Sequence, residues 1–94
     1  MITRIVKVKI KADDYDNFKN YIGSFVQKVR NFKNNHHADC FADLDDKNYF
    51  HVYTIWLTED ALSAFRESEL NKEFKNNIQK WSEKPYSAWT IENI

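Results

Sequence analysis

Tyr15-Asp16-Asn17-Phe18-Lys19-Asn20-Tyr21-Ile22-Gly23-Ser24-Phe25-Val26-Gln27-Lys28-Val29-Arg30-Asn31-Phe32 is the stretch from which the rest of the chain can be placed. Tyr15, Phe18, Tyr21, Ile22, Phe25, Val26, Val29 and Phe32 recur at helical spacing and lay one continuous apolar stripe along a helix. Asp13 or Asp14 stands where a carboxylate caps the first turn and meets the positive end of the helix dipole. Asn31, Asn34 and Asn35 end the pattern. A stripe this long needs an equally long apolar surface to lie on.

The flanking segments supply it as a sheet. Upstream, residues 2–10 alternate, with Val6, Val8 and Ile10 on one face. Downstream, residues 36–44 and 49–57 read as two strands joined by the polar turn Asp45-Asp46-Lys47-Asn48. Thr58 caps a short helix that opens with Glu59 and Asp60 and carries Ala61, Leu62 and Phe65 on one side. A break near Ser68 leads into a second helical segment with Leu70, Phe74, Ile78 and Trp81 on one face. Lys84-Pro85 stops it, and residues 86–94 form a last strand. The order β-α-β-β-α-β, with right-handed crossovers, predicts an α+β ferredoxin-like domain: a four-stranded antiparallel sheet with its helices on one face. Ile5, His51, Tyr53 and Ile55 then fall on the bare face, too apolar to stay wet. A second copy is the simplest cover, so a homodimer through this face is expected.

The 94 residues suit one domain, residues 1–94, and 43% apolar with 16% aromatic residues is enough for a core and a second buried surface. Fourteen basic residues balance fourteen acidic ones, so no basic stripe for nucleic acid is present and repulsion does not oppose self-association. Gly23 is the only glycine, which excludes a P-loop or dinucleotide fingerprint. The single cysteine, Cys40, cannot form an internal disulfide and fits a reducing compartment. Residues 1–4 lack the apolar core of a signal peptide and no run reaches the roughly 20 residues of a membrane span. A cytoplasmic location without membrane or nucleic-acid partners is therefore expected.

Candidate chemistry gathers at the central hairpin. Closure around Asp46-Lys47 places His37 opposite Trp56, Asp39 opposite Thr54 and Phe41 opposite Val52; His37, Asp39, Thr54 and Trp56 then form one patch, and parity puts Phe50 and Val52 on the same, helix-covered face. His37 beside Asp39 in a semi-apolar pocket is a candidate proton acceptor with its orienting partner; the alternative is a solvated strand end. Trp56 offers a flat wall to an aromatic molecule, or is simply core. Phe65 faces the same side, and Arg66, one turn beyond Leu62, could hold an anionic oxygen or pair with a nearby glutamate. In this register Cys40 pairs with Tyr53 on the open face as a buried, inert thiol, and His37 and His51 point to opposite faces. No ligand spacing supports a metal site, and none is expected.

The segment Tyr53-Thr54-Ile55-Trp56-Leu57-Thr58-Glu59-Asp60-Ala61-Leu62 resembles the antibiotic biosynthesis monooxygenase domain family, which shows a strand ending in Tyr-x-x-Trp followed by a capped helix with an acidic-acidic-Ala-Leu start. The element order is similar over essentially the whole chain. The resemblance implies a dimeric α/β barrel and a set of activities that includes cofactor-independent quinol oxygenases and haem-degrading enzymes. Of the Asn–Trp–His constellation of the haem-degrading branch only Trp56 has a counterpart: residues 2–10 contain no asparagine, and no histidine follows His51. Two readings follow. One is a cofactor-independent monooxygenase acting on a small aromatic or quinol-like molecule, with His37, Asp39 and Trp56 as catalytic candidates and Thr54, Phe65 and Arg66 as substrate contacts. The other is a non-catalytic dimeric module that binds a small hydrophobic ligand or serves a stress or regulatory role. An open cavity favours the first, and a core filled by Phe18, Tyr21, Phe25, Phe65 and Phe74 favours the second.

Overall fold

The computed structural model describes residues 1–94. Its elements are β1 (Ile2–Lys9), α1 (Tyr15–Arg30), β2 (Asn35–Ala42), β3 (Tyr49–Trp56), α2 (Glu59–Arg66), α3 (Glu69–Trp81) and β4 (Ser87–Glu92), with a 3-10 turn at Ala12–Asp14 leading into α1. The strands form one sheet in the order β2-β3-β1-β4, every neighbouring pair antiparallel. This is the ferredoxin-like arrangement, and all three helices lie over one face.

Alternation along each strand decides what that face buries. Ile2, Val6 and Val8 of β1 and Phe50, Val52, Thr54 and Trp56 of β3 are buried beneath the helices. From above, α1 contributes Phe18, Ile22, Phe25, Val26 and Val29, α2 Ala61, Leu62 and Phe65, and α3 Phe74 and Ile78. Trp56, fully buried, stacks on Phe65 with centroids 4.9 Å apart and meets the edge of Phe32. Phe25 stacks on Phe74 at 4.2 Å.

The helix boundaries follow local chemistry. Thr58 accepts a hydrogen bond from the Ala61 backbone N–H at 3.1 Å, as expected of an N-cap. Ser68 caps α3 by accepting from Asn71 N–H, while its own hydroxyl donates to the Phe65 carbonyl at 2.6 Å. One serine thus closes α2 and opens α3, which is why the helical stretch breaks there. Asp14 occupies the cap position of α1, but its carboxylate takes the Asn17 side-chain amide rather than a backbone N–H. Asn34, at φ 61°, makes the left-handed turn into β2, a conformation that asparagine tolerates.

The hairpin register differs by one residue from the expected one. Ala38 pairs with Thr54, Asp39 with Tyr53, Cys40 with Val52 and Phe41 with His51. The turn sets this pairing: Asp46 accepts from Tyr49 N–H through its carbonyl and from Asn48 N–H through its carboxylate, and Asp43 N–H donates to the Tyr49 carbonyl at 2.9 Å. From His37 to Ala42 every side chain therefore changes face, while an irregularity between Asn35 and His37 leaves Asn35 opposite Trp56. His37 and Asp39 lie on the open side with Tyr53, not beside Thr54 and Trp56. Cys40 lies on the helix side opposite Val52, not opposite Tyr53, and His37 and His51 share the open face instead of opposing. Small residues explain the outcome: Ala38, Cys40 and Ala42 let α1 approach the edge strand, whereas the other parity would bury an imidazole and a carboxylate.

Candidate functional site

Between the sheet and the last two helices lies a cavity of about 150 Å³. Its inner walls are apolar, formed by Val52, Phe25, Phe65, Phe74 and Ile78, and its polar side is made by Arg4, Thr54, Arg66, Asn71, Lys75 and Tyr86. β1 and β3 supply Arg4 and Thr54 from the floor, the end of α2 supplies Phe65 and Arg66, and Tyr86 closes the side just before β4.

The three residues expected to contact substrate, Thr54, Phe65 and Arg66, line this one cavity together. Trp56 is behind it. The indole Nε1 donates to Thr54 Oγ1 at 3.0 Å, and the ring backs onto Phe65. Since the Thr54 oxygen already accepts that bond, its own O–H is directed to donate elsewhere. Trp56 thus acts on the cavity by fixing Thr54 and Phe65.

Arg4 is the residue that the sequence reading missed. It shares parity with Ile2, Val6 and Val8, so a guanidinium points under the helices from the middle of an apolar stripe. Burial lowers its pKa, and so does the Arg66 guanidinium, while Tyr86 acts in the opposite sense. Its hydrogen-bond partner is the Thr90 hydroxyl at 3.1 Å. Neither Arg4 nor Arg66 makes an ion pair with a carboxylate, so the expected alternative of an Arg66–glutamate pair is not realised.

His37 and Asp39 stand apart from the cavity. His37 Nε2 is 4.0 Å from Asp39 Oδ2, and both side chains are well exposed on the open face. Arg30 reaches round the edge of β2, donating from Nε to the Ala38 carbonyl at 2.9 Å with its NH2 group 3.9 Å from Asp39. The Cys40 thiol is pushed up to about 12, first by burial and then by the Asp39 charge, which makes it a poor nucleophile near neutrality. No helix is long and apolar enough to cross a membrane.

The open face carries the second concentration of apolar surface. Ile5 sits between Tyr53 and Trp89, with Ile55 and Ile91 on the neighbouring strands and Phe41 against Tyr53. Trp89, Phe41 and Ile91 remain 43%, 49% and 50% exposed.

Comparison with known proteins gives this architecture its place. No protein of curated function matches the sequence. Among solved structures, a proposed antibiotic biosynthesis monooxygenase from Nitrosomonas europaea superposes with a TM-score of 0.90 at 19% identity, covering 100% of this chain and 99% of the other. A conserved protein from Methanosarcina mazei gives 0.91 at 16% identity, covering 100% and 94%. A proposed antibiotic biosynthesis monooxygenase from Deinococcus radiodurans gives 0.92 at 11% identity, covering 99% and 92%. At these identities the likeness is one of fold. Sequence adds the lineage: residues 1–77, from β1 through the cap at Thr58 to most of α3, match the profile described as antibiotic biosynthesis monooxygenase, and the chain belongs to that family.

Proposed function

We propose that the chain is a cofactor-independent monooxygenase whose cavity between sheet and helices receives a small aromatic or quinol-like molecule. The observation that carries this reading is the convergence of Thr54, Phe65 and Arg66, joined by Arg4, on one partly enclosed cavity with apolar walls. Phe65 offers a ring face to an aromatic guest, and the Thr54 hydroxyl and the two guanidinium groups meet its oxygen. In the reaction, the electron-rich ring gives electrons to O₂ and a ring carbon bonds one of its oxygens as a hydroperoxide; loss of the hydrogen on that carbon together with O–O cleavage releases water and leaves a quinone oxygen. The protein's part is to exclude water and to stabilise the negative oxygen on the substrate. Trp56 serves as a positioning residue through Thr54.

His37 and Asp39, on the other side of the sheet, are too remote to take a proton from a guest in this cavity. In this reading their face is instead the homodimer interface, where Ile5, Tyr53, Trp89 and Ile91 meet the same residues of a second copy.

A specific feature favours the second reading, a binding module without turnover: Phe25 and Phe74 stack at 4.2 Å inside the cavity wall and take up space that a larger substrate would need. Oxygen uptake separates the two. With a panel of hydroquinones and naphthalenediols, the wild type consumes O₂ above the uncatalysed rate and the Arg66→Gln variant loses most of that excess. Saturable binding without excess uptake would leave the ligand-binding module standing.

A further inference from the structure

Charge is distributed unevenly around the cavity. Arg4, Arg66 and Lys75 bring three cationic groups to its polar side, and its lining contains no aspartate, glutamate or histidine. Both arginines lack a carboxylate partner. Two like charges facing one cavity repel, and a half-buried guanidinium without a counter-charge is costly unless something else neutralises it. The hydroxyls point the same way. Thr54 accepts from Trp56 Nε1, a group that is donor only, so its own proton is left for another acceptor, and Tyr86 brings a phenolic O–H to the rim. The guanidinium and ammonium groups are donors only. The cavity is thus rich in donors, cationic, and without a side-chain base.

We propose that the cavity takes its ligand as a preformed anion, an aromatic carboxylate or phenolate whose negative oxygen is held between Arg4 and Arg66 with the Thr54 hydroxyl donating to it. This rests on the assignment of the cavity as the small-molecule site, and it narrows the substrate class to molecules that ionise before or on entry. The pH dependence of binding then belongs to the ligand and not to a protein base: the site selects the ionised form from solution and lowers the ligand's own pKa by stabilising it.

The test uses 4-nitrophenol, whose absorption reports its ionisation, and nitrobenzene as the neutral analogue, in low-salt buffer without phosphate. The phenolate is expected to bind at least about tenfold more tightly than nitrobenzene, as expected for charge-assisted hydrogen bonds. The pH of half-ionisation of bound 4-nitrophenol is expected to fall by about 1. Arg4→Gln and Arg66→Gln each remove most of that preference, and Arg4→Lys retains part of it. Arg66 is exposed, so its variant folds whether or not Arg4→Gln does. Equal affinity for the two probes would overturn the anion proposal and leave the cavity as a small-molecule site. Failure of both to bind would overturn the site assignment, and the anion proposal with it.

Discussion

The two faces of the sheet follow the same alternation and end differently. On the helix side, even-numbered residues of β1 and β3 bury Ile2, Val6, Val8, Phe50, Val52 and Trp56 under the chain's own helices, and the polar exceptions Arg4 and Thr54 line the cavity. On the open side, odd-numbered residues present Ile5, Tyr53, Ile55, Trp89 and Ile91 with no element above them. One face is closed within the chain and keeps a small polar opening; the other is a broad apolar surface suited to a partner sheet. The contrast is the basis for proposing a small-molecule site at the polar exceptions of the closed face and self-association through the apolar surface of the open one.

Removing the centre of the closed face should have the largest effect. Trp56→Ala deletes the largest fully buried side chain and leaves Thr54 without its donor, so urea unfolding should report a loss of about 3–5 kcal/mol. A loss near zero would mean that the indole is not core. The open face is tested by Trp89→Glu, which places a charge on a residue of the proposed interface. Light scattering should then give half the wild-type mass while the circular dichroism spectrum is unchanged; an unaltered mass would remove Trp89 from the interface.

Alkaline pH probes the closed face without a ligand. Cys40 and Tyr21 are both pushed up to about 12, each chiefly by burial. The fold holds these protons more tightly than the unfolded chain does. Well below pH 9 both states carry the thiol proton and stability is unaffected; above it the unfolded chain releases the proton first, and stability falls until about pH 12. Cys40→Ala should remove about 2 kcal/mol of that decline at pH 11. A decline identical to wild type would show that Cys40 is not buried as described. A smaller effect is expected at the junction of α2 and α3: Ser68→Ala loses the cap of α3 and the bond to Phe65, lowering stability by about 1 kcal/mol in the same unfolding assay.

What the sequence made legible divides along the same line. The α1 stripe, the Thr58 cap, the break at Ser68 and the strand order could all be read because each rests on local chemistry or on a period spanning many residues. The hairpin register could not be read from its turn, since the residues Asp43 to Asn48 offer several closures and a one-residue difference moves His37 and Asp39 to the opposite face. The signal that would have settled it was composition: Ala38, Cys40 and Ala42 alternate with His37, Asp39 and Phe41, and the small residues belong under a helix. Arg4 was visible in the same way, as the single charge among Ile2, Val6, Val8 and Ile10 of equal parity. Thr54, Phe65 and Arg66 lie on the helix side as expected because β3 and α2 adjoin in sequence, so their faces did not depend on β2.

Whether small molecules enter the closed face is read most directly from an amide chemical-shift map during titration with a phenolate. Shifts gathered at Arg4, Thr54, Phe65, Arg66 and Tyr86, with His37, Asp39 and Tyr53 unmoved, are expected of a ligand in the cavity. Shifts centred on His37, Asp39 and Tyr53 would contradict the cavity assignment and place the ligand on the open face.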